Sequence, residues 1–91
     1  MATATYVYVL GCHDGARVRT YVGWTVDVKQ RLARHNAGLG AKSTRGRAWR
    51  VLHVETFKTR PEAMRREWRL KRDRPFRAAL AAAMAAEGAR R

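Results

Sequence analysis

The alternation of apolar and polar positions near the start of the chain predicts a β-hairpin. Residues 5–10 and 17–24 alternate as half-buried strands do, and Asp14-Gly15 between them is a strong signal for a two-residue turn. With Asp14 and Gly15 as the loop residues, the register sets Tyr8 directly opposite Tyr21 on one face of the sheet. Two neighbouring phenols either pack as core aromatics or form a proton-handling pair, and the hairpin alone favours packing.

The next segment predicts a helix followed by a basic loop. Asp27, with a glutamine three residues later, approximates a capping box, and Val28 and Leu32 form the apolar stripe of the helix that follows. The glycines within residues 36–40 end this helix. Residues 41–47 are polar, basic and too short for a packed element, so they predict an exposed loop.

The pattern of residues 49–57 predicts a third strand. Its alternation places Val51, His53 and Glu55 on one face and Leu52, Val54 and Thr56 on the other.

Two helices are predicted after this strand. Thr59, with a proline and a glutamate in the next three positions, marks a helix start, and that helix extends to about Arg72. A last helix over about 76–87 has one apolar stripe, and residues 88–91 are expected to fray. The stripe consists of Phe76, Leu80 and Met84.

The element order β-β-α-β-α-α predicts an α+β fold. We expect a small three-stranded, mainly antiparallel sheet flanked by three helices, because a sheet this small needs a helix packed on it for stability. The 91 residues have room for one core, so residues 1–91 are expected to form a single domain with its body over about 4–80.

The charge balance indicates what kind of partner the protein binds. A formal net charge of +13 on 91 residues repels itself in the folded state and indicates a polyanionic partner. Nucleic acid is the first candidate and an anionic membrane surface the second. No apolar run is long enough to span a bilayer and the start lacks a signal peptide, so we expect a cytoplasmic protein.

A single cysteine excludes some chemistry. Cys12 stands alone, which rules out an internal disulfide and a multi-cysteine zinc site. No sequence signature surrounds it, and a passive loop thiol is favoured over a nucleophile.

The first predicted helix carries Arg31 and His35 four residues apart, on one face beside the apolar stripe. An arginine there can bind a phosphate, and a histidine can exchange a proton near neutral pH. Taken alone, the pair is also what an ordinary basic surface helix carries, and that interpretation is favoured.

The second predicted helix places an acid among apolar neighbours. Glu67 shares a face with Ala63 and Leu70. It either pairs with Lys71 four residues on, or holds a hard divalent cation such as Mg²⁺. Pairing is favoured on the helix alone, but elimination of the other acids leaves Glu67 as the best metal candidate.

The basic loop suits contact with a phosphodiester backbone rather than readout of bases. The alternative is a solvated basic loop, and the two interpretations are evenly balanced. The candidate contacts are Lys42, Ser43, Thr44, Arg45 and Arg47. The tryptophans could stack on bases, although structural roles are favoured for Trp24, Trp49 and Trp68.

Taken together, these residues resemble the GIY-YIG nuclease domain, and specifically its small stand-alone bacterial branch, related to structure-specific DNA nucleases. The resemblance covers roughly residues 4–80, and residues 35–38 and 41–47 look like a signature of that branch. The motif residues in order are Tyr6-Val7-Tyr8, Tyr21-Val22-Gly23, Arg31, His35 and Glu67. Two departures are Tyr6, where the family name has glycine, and the junction over residues 72–75.

The resemblance implies roles for the matched positions. Tyr8 would help to deprotonate the attacking water, with Tyr21 assisting or positioning. Arg31 would steady the scissile phosphate, His35 would serve in proton transfer, and Glu67 would anchor the divalent metal. Gly23 would keep the backbone clear beside the substrate.

The resemblance therefore implies a metal-dependent endonuclease that hydrolyses phosphodiester bonds in DNA, with structure-specific cleavage and a place in DNA repair as one form of it. Only one carboxylate is evident, so a single Mg²⁺ or Mn²⁺ ion is expected. DNA is favoured over RNA, no membrane is expected as partner, and the oligomeric state stays open. The alternatives are a non-catalytic basic module that binds DNA or RNA, and an accessory subunit of a larger repair complex.

Overall fold

The structure is a computed structural model that describes residues 3–89, and it confirms the predicted α+β fold. A three-stranded sheet is accompanied by three α-helices and one short 3₁₀ turn over Lys42–Thr44. The strands are β1 (Thr5–Asp14), β2 (Arg17–Thr25) and β3 (Arg50–Phe57), and the helices are α1 (Val28–Asn36), α2 (Arg60–Arg72) and α3 (Arg74–Ala89).

The sheet is antiparallel throughout, in the order β2-β1-β3, so β1 is the central strand and β2 lies at an edge. The predicted hairpin register is wrong by two residues. Asp14 pairs with Arg17, and the turn consists of Gly15 and Ala16, with Gly15 at φ +64°. Tyr8 consequently lies opposite Gly23 rather than Tyr21. A shift of two residues preserves the face of every side chain, so Tyr8 and Tyr21 still share one.

The two faces of the sheet carry separate apolar clusters. On one face, α2 and α3 cover Val7, Val9 and Val22, with Phe76 and Leu80 packed against that cluster as the stripe of the last helix predicts. On the opposite face, side chains of all three strands pack with Trp49, which precedes β3, and with Leu32 of α1. The strand residues of this cluster are Tyr8, Leu10, Cys12, Tyr21 and Val51. The helices therefore divide between the two faces.

A β-bulge changes the predicted faces of β3. Leu10 pairs with Val51 while Val9 pairs with His53, so the register shifts between them and Leu52 is the extra residue. Val51 consequently faces the Tyr8 cluster and His53 faces the opposite side, whereas strict alternation placed them together. The extra residue reverses the phase of the alternation, and an eight-residue strand is too short for the sequence to show where the phase changes.

The helix starts follow the predicted caps. Asp27 accepts a hydrogen bond from the Gln30 backbone N–H, and Thr59 accepts one from that of Glu62. A single residue, Asp73, separates α2 from α3 and accepts a hydrogen bond from the Phe76 backbone N–H. The last helix extends through Ala89, two residues beyond the predicted end, and the rest of the expected frayed segment, 90–91, lies outside the described residues.

Burial on α1 differs from the prediction. Val28 and Leu32 are only half-buried, and the buried side chain of this helix is His35.

Among the described residues, no helix combines the length and the apolar character that crossing a bilayer requires.

An ion pair links β3 to α2, and a ring contact links β3 to α3. Glu55 accepts hydrogen bonds from Arg66 Nε at 2.8 Å and from its terminal nitrogen at 2.9 Å, and its other contact is His53 at 2.7 Å. The His53 ring packs edge-on against Phe76 of α3 at 4.9 Å between centroids. The Arg66 hydrogen bonds lower the pKa of Glu55 against the opposing effect of burial, with His53 contributing further lowering.

We predict that Glu55→Gln destabilises the fold in a pH-dependent way. A depressed carboxyl pKa stabilises the fold above the unfolded-state value of about 4.3 and ceases to do so as pH falls through the folded value. The variant should lose about 1–3 kcal/mol of unfolding free energy at neutral pH and much less near pH 3. Urea unfolding at both pH values measures this.

The control is Glu62→Gln, which removes the same charge from a helix start where glutamine serves equally well. It should change stability little at either pH. A Glu55→Gln penalty that is equal at both pH values would contradict the predicted linkage.

Candidate active site

A cavity of about 360 Å³ opens at the edge strand β2. Because α1 and α2 cover opposite faces of the sheet, their side chains meet by reaching around this edge. Its lining comes from β1, β2, α2 and the segment that leads into and includes α1. The lining residues are Tyr8 of β1, then Tyr21, Gly23, Trp24 and Thr25 of β2, Val26 just before α1, Arg31 of α1, and Arg60 and Glu67 of α2.

Tyr8 and His35 form the centre of the candidate site. Both are 2% exposed, and the Tyr8 hydroxyl lies 3.1 Å from His35 Nε2. The Tyr21 ring lies 4.9 Å from the imidazole and 6.4 Å from the Tyr8 ring, between centroids. The shared face predicted for the two tyrosines therefore brings both phenols to the same histidine.

The surroundings keep this pair uncharged in the free protein. Burial raises the pKa of Tyr8, with Tyr21 adding to the rise and Arg31 opposing it. Burial also lowers the pKa of His35, and the positive charges of Arg31 and Arg34 lower it further. At neutral pH the site thus contains a protonated phenol beside a neutral imidazole.

Two glycines make room for these side chains. Gly23 lies directly opposite Tyr8, and a Cβ added there would lie 2.6 Å from Tyr8 Cζ. A Cβ at Gly40 would lie 2.9 Å from His35 Cγ. Both distances are too short for packed atoms, so each glycine is required by a ring rather than by its own backbone conformation.

Glu67 lies in the cavity lining and is also paired. Its side chain is 20% exposed, and Lys71 Nζ lies 3.3 Å from one carboxylate oxygen. The exposed ammonium can swing away, so the ion pair and a metal role are compatible. No cluster of three or more histidine, cysteine or acidic side chains occurs among the described residues. The single carboxylate of Glu67 in the lining fits an ion such as Mg²⁺, which takes one carboxylate and completes its shell with waters and phosphate oxygens.

Two arginines supply positive charge to the cavity. Arg31 lies in the cavity lining, and its side chain is exposed. Arg60, which sequence reasoning missed, joins it with its guanidinium 5.8 Å from the centre of the Trp24 ring. Its spacing of seven residues before Glu67 puts the two on one helix face, and that signal could have found it.

The basic loop differs from the prediction at two positions. Thr44 is fully buried, so its hydroxyl cannot reach a nucleic-acid phosphate, and the assignment as a contact residue is wrong for this side chain. Arg47 is half-buried and pairs with Asp14 at 3.2 Å. The other candidate contacts, Lys42, Ser43 and Arg45, are exposed.

The loop is also a packed element rather than a free one. Asn36 donates to the Trp49 backbone carbonyl at 3.0 Å and accepts from its N–H at 2.6 Å. The Trp49 indole donates to the Thr44 carbonyl at 2.9 Å. Trp49 thus has the structural role predicted for it, whereas the Trp68 ring is 57% exposed and stacks on Arg72 at 3.8 Å.

Cys12 lies outside this chemistry. It is buried within β1 rather than in a loop, and burial raises the pKa of its thiol. A protonated, inaccessible thiol is not a nucleophile.

The chain belongs to the GIY-YIG domain family. The profile of the GIY-YIG catalytic domain matches residues 4–77, which include every element that lines the cavity. The family is one of nucleases, and the resemblance seen in the sequence motifs is confirmed.

Several proteins with the family designation UPF0213 are similar to this chain. One from Halobacterium salinarum is 54% identical over 67 residues, which cover 72% of this chain and 83% of the relative. One from Natronomonas pharaonis is 46% identical over 72 residues, covering 78% and 81%. The solution NMR structure of a UPF0213 protein from Bacillus halodurans is 40% identical, covers 87% of this chain and 83% of its own, and superimposes with a TM-score of 0.49.

We predict that His35 titrates below the ordinary histidine value of about 6.5, because burial and two arginines disfavour its charged form. Removing one of these charges in Arg34→Gln should raise the midpoint toward the ordinary value. NMR titration of the imidazole C–H resonances measures both. Arg17→Gln, at the far end of β2, is the matched control and should leave the midpoint in place. A midpoint at or above 6.5 in the wild type would contradict the burial seen here.

Gly23→Ala should displace the Tyr8 ring. The added methyl group overlaps Tyr8 Cζ, and overpacking of this kind costs about 1–3 kcal/mol of unfolding free energy. Thermal unfolding measures the loss, and the NMR resonances of Tyr8 and His35 report the displacement. Gly23→Ala should be less damaging when combined with Tyr8→Ala, which removes the ring, than the sum of the single changes. Strict additivity would show that the two residues do not meet.

Proposed function

We propose that this protein is a metal-dependent endonuclease that hydrolyses phosphodiester bonds in DNA. One observation carries the proposal: Tyr8, Arg31 and Glu67, from three different elements, line one cavity, and Tyr8 is hydrogen-bonded to His35. A proton acceptor, a cation for phosphate and a carboxylate are the groups that the hydrolysis of a phosphodiester requires.

Tyr8 acts on the attacking water. A phenol whose pKa is raised holds its proton in the free protein, so it cannot act as a preformed phenolate. It can accept a proton from water only as it releases its own, and His35 Nε2 at 3.1 Å is within reach to take that proton. Tyr21 packs against the imidazole and positions the pair.

Arg31 and Arg60, both in the cavity lining, neutralise the phosphate. Glu67 would hold one Mg²⁺ or Mn²⁺ ion, with the exposed ammonium of Lys71 displaced from the carboxylate. When bound, that ion supplies charge that stabilises the phosphate in the transition state and lowers the pKa of the attacking water. Gly23 keeps the strand backbone open beside the scissile group.

The substrate is DNA, favoured over RNA, with branched or damaged structures and DNA repair as the proposed setting in the cytoplasm. Support comes from the net charge of +13 and from the exposed Lys42, Ser43 and Arg45 in the loop beside α1. The exposed Trp68 ring adds a surface on which an unpaired base can stack. The proposal treats residues 1–91 as one domain of this family.

The test is cleavage of a panel of labelled flaps, forks, junctions and single strands with and without Mg²⁺. Glu67→Gln should reduce metal-dependent cleavage at least about 10²-fold, since loss of the ion removes several kcal/mol of transition-state stabilisation. Glu62→Gln is the matched control, because it makes the same change on the same helix outside the cavity. Equal cleavage by the two variants, or no metal-dependent cleavage by the wild type, would contradict the proposal.

The second candidate is a non-catalytic basic module that binds DNA or RNA. Its support is the charge alone, which predicts tight and strongly salt-dependent binding. Under this alternative Tyr8→Phe and Glu67→Gln leave binding unchanged and no cleavage is detected on any substrate. Abolition of cleavage by these changes, with binding intact, decides for the endonuclease.

A further inference from the structure

The tautomer of His35 follows from the hydrogen bonds on its far side. His35 Nδ1 lies 2.8 Å from Thr44 Oγ1, and that same oxygen lies 2.7 Å from the carbonyl oxygen of Ala41. A carbonyl oxygen can only accept, and a hydroxyl has a single hydrogen. If the hydroxyl donated to Nδ1 instead, two acceptor oxygens would face each other at 2.7 Å with no proton between them, which is repulsive.

One assignment satisfies every contact. The Thr44 hydroxyl donates to Ala41, so Nδ1 must carry a hydrogen and donate to Thr44 Oγ1. In a neutral imidazole the other nitrogen then has a free lone pair. Nε2 consequently accepts the hydrogen bond from the Tyr8 hydroxyl, not the reverse.

We propose that Thr44 is a positioning residue that holds His35 in the tautomer protonated at Nδ1, so that Nε2 faces Tyr8 as a proton acceptor. The inference deepens the proposed function: its consequence for catalysis rests on that function, whereas the tautomer itself does not. Thr44 touches neither the cavity nor the reacting atoms, and acts only through the imidazole.

Several contacts hold Thr44 in place. Its backbone N–H donates to the Ala41 carbonyl at 2.9 Å, and its own carbonyl accepts from the Trp49 indole at 2.9 Å. Asn36, next to His35 in the chain, binds the Trp49 backbone through both of its side-chain polar atoms. The segment that carries Thr44 is thereby tied to the helix that carries His35, and the hydroxyl is locked at the imidazole.

The resulting proton path is balanced. As a water O–H bond breaks, a bond forms between that proton and Tyr8 Oη, and a lone pair of the resulting hydroxide oxygen forms the new bond to phosphorus. The bond from phosphorus to the leaving oxygen breaks with its electron pair on that oxygen, which takes a proton from solvent water. The Tyr8 proton passes to His35 Nε2, which gives an imidazolium. Its Nδ1–H keeps its acceptor in Thr44, so the positive charge forms without any side chain having to turn.

The tautomer can be measured directly in the free protein by ¹⁵N NMR of the imidazole nitrogens. In the wild type the proton should reside on Nδ1 of His35. Thr44→Val, which is isosteric but has no oxygen, should lose this preference, and Thr44→Ser should keep it. Thr56→Val is the matched control, since it makes the same change at an exposed threonine of β3 outside the cavity and should change nothing.

Cleavage assays on the same four proteins measure the consequence. Thr44→Val should lower kcat about 10²-fold with little change in KM, the scale of a misdirected general base. Thr44→Ser should restore kcat, which a purely structural role for the lost methyl group would not allow. Backbone amide spectra establish that each variant is folded, and the wild-type tautomer is decisive even if Thr44→Val does not fold.

The outcomes separate the inference from the proposed function. A wild-type proton on Nε2, or a Thr44→Val protein with unchanged tautomer and kcat, overturns the inference even if the protein cleaves DNA. A wild-type proton on Nδ1 that requires the Thr44 hydroxyl supports it. Absence of cleavage by a wild type with that tautomer overturns the endonuclease and leaves the tautomer assignment standing.

Discussion

A hydrogen-bond chain from Tyr8 through His35 to Thr44 and the Ala41 carbonyl joins the sheet, the first helix and the loop that follows it. These polar side chains are buried, and a buried polar group without a partner costs about 1–3 kcal/mol. The sheet, the first helix and the following loop must therefore meet in one arrangement that satisfies them all. No buried side-chain nitrogen or oxygen within residues 3–89 lacks a partner.

The chain carries twenty cationic residues and only seven acidic ones. Three of them, Asp27, Glu62 and Asp73, take part in hydrogen bonding at helix starts. Asp14, Glu55, Glu67 and Glu87 each pair with lysine or arginine. Of these, Glu67 alone lines the cavity. Most of the surplus positive charge therefore stays on the surface, available to a polyanion, while one acid lines the cavity.

Local signals predicted most of the fold because they act over a few residues. The caps at Asp27 and Thr59 and the stripe of Phe76 and Leu80 appear where expected, since helix starts and apolar faces depend on near neighbours. The predicted hairpin register is wrong because Asp-Gly can sit at two positions of a short turn, and the predicted faces of β3 are wrong because a bulge reverses the alternation within a strand of eight residues. The two-residue error in the register still leaves Tyr8 and Tyr21 on the same face, since the direction of side chains along a strand repeats every two residues.

Patterns in the sequence were enough to predict the element order, the shared face of Tyr8 and Tyr21, the positive charge, and the motif residues that indicate the family. They did not predict that tertiary packing buries His35, places the Thr44 hydroxyl against it rather than at a phosphate, and brings Arg60 into the cavity. The difference lies in the distance along the chain over which each effect acts. Propensity and periodicity reach one or two turns along the chain, whereas Tyr8 and His35 lie 27 residues apart and His35 and Thr44 lie nine apart. Their contacts arise only when the faces of separate elements pack together.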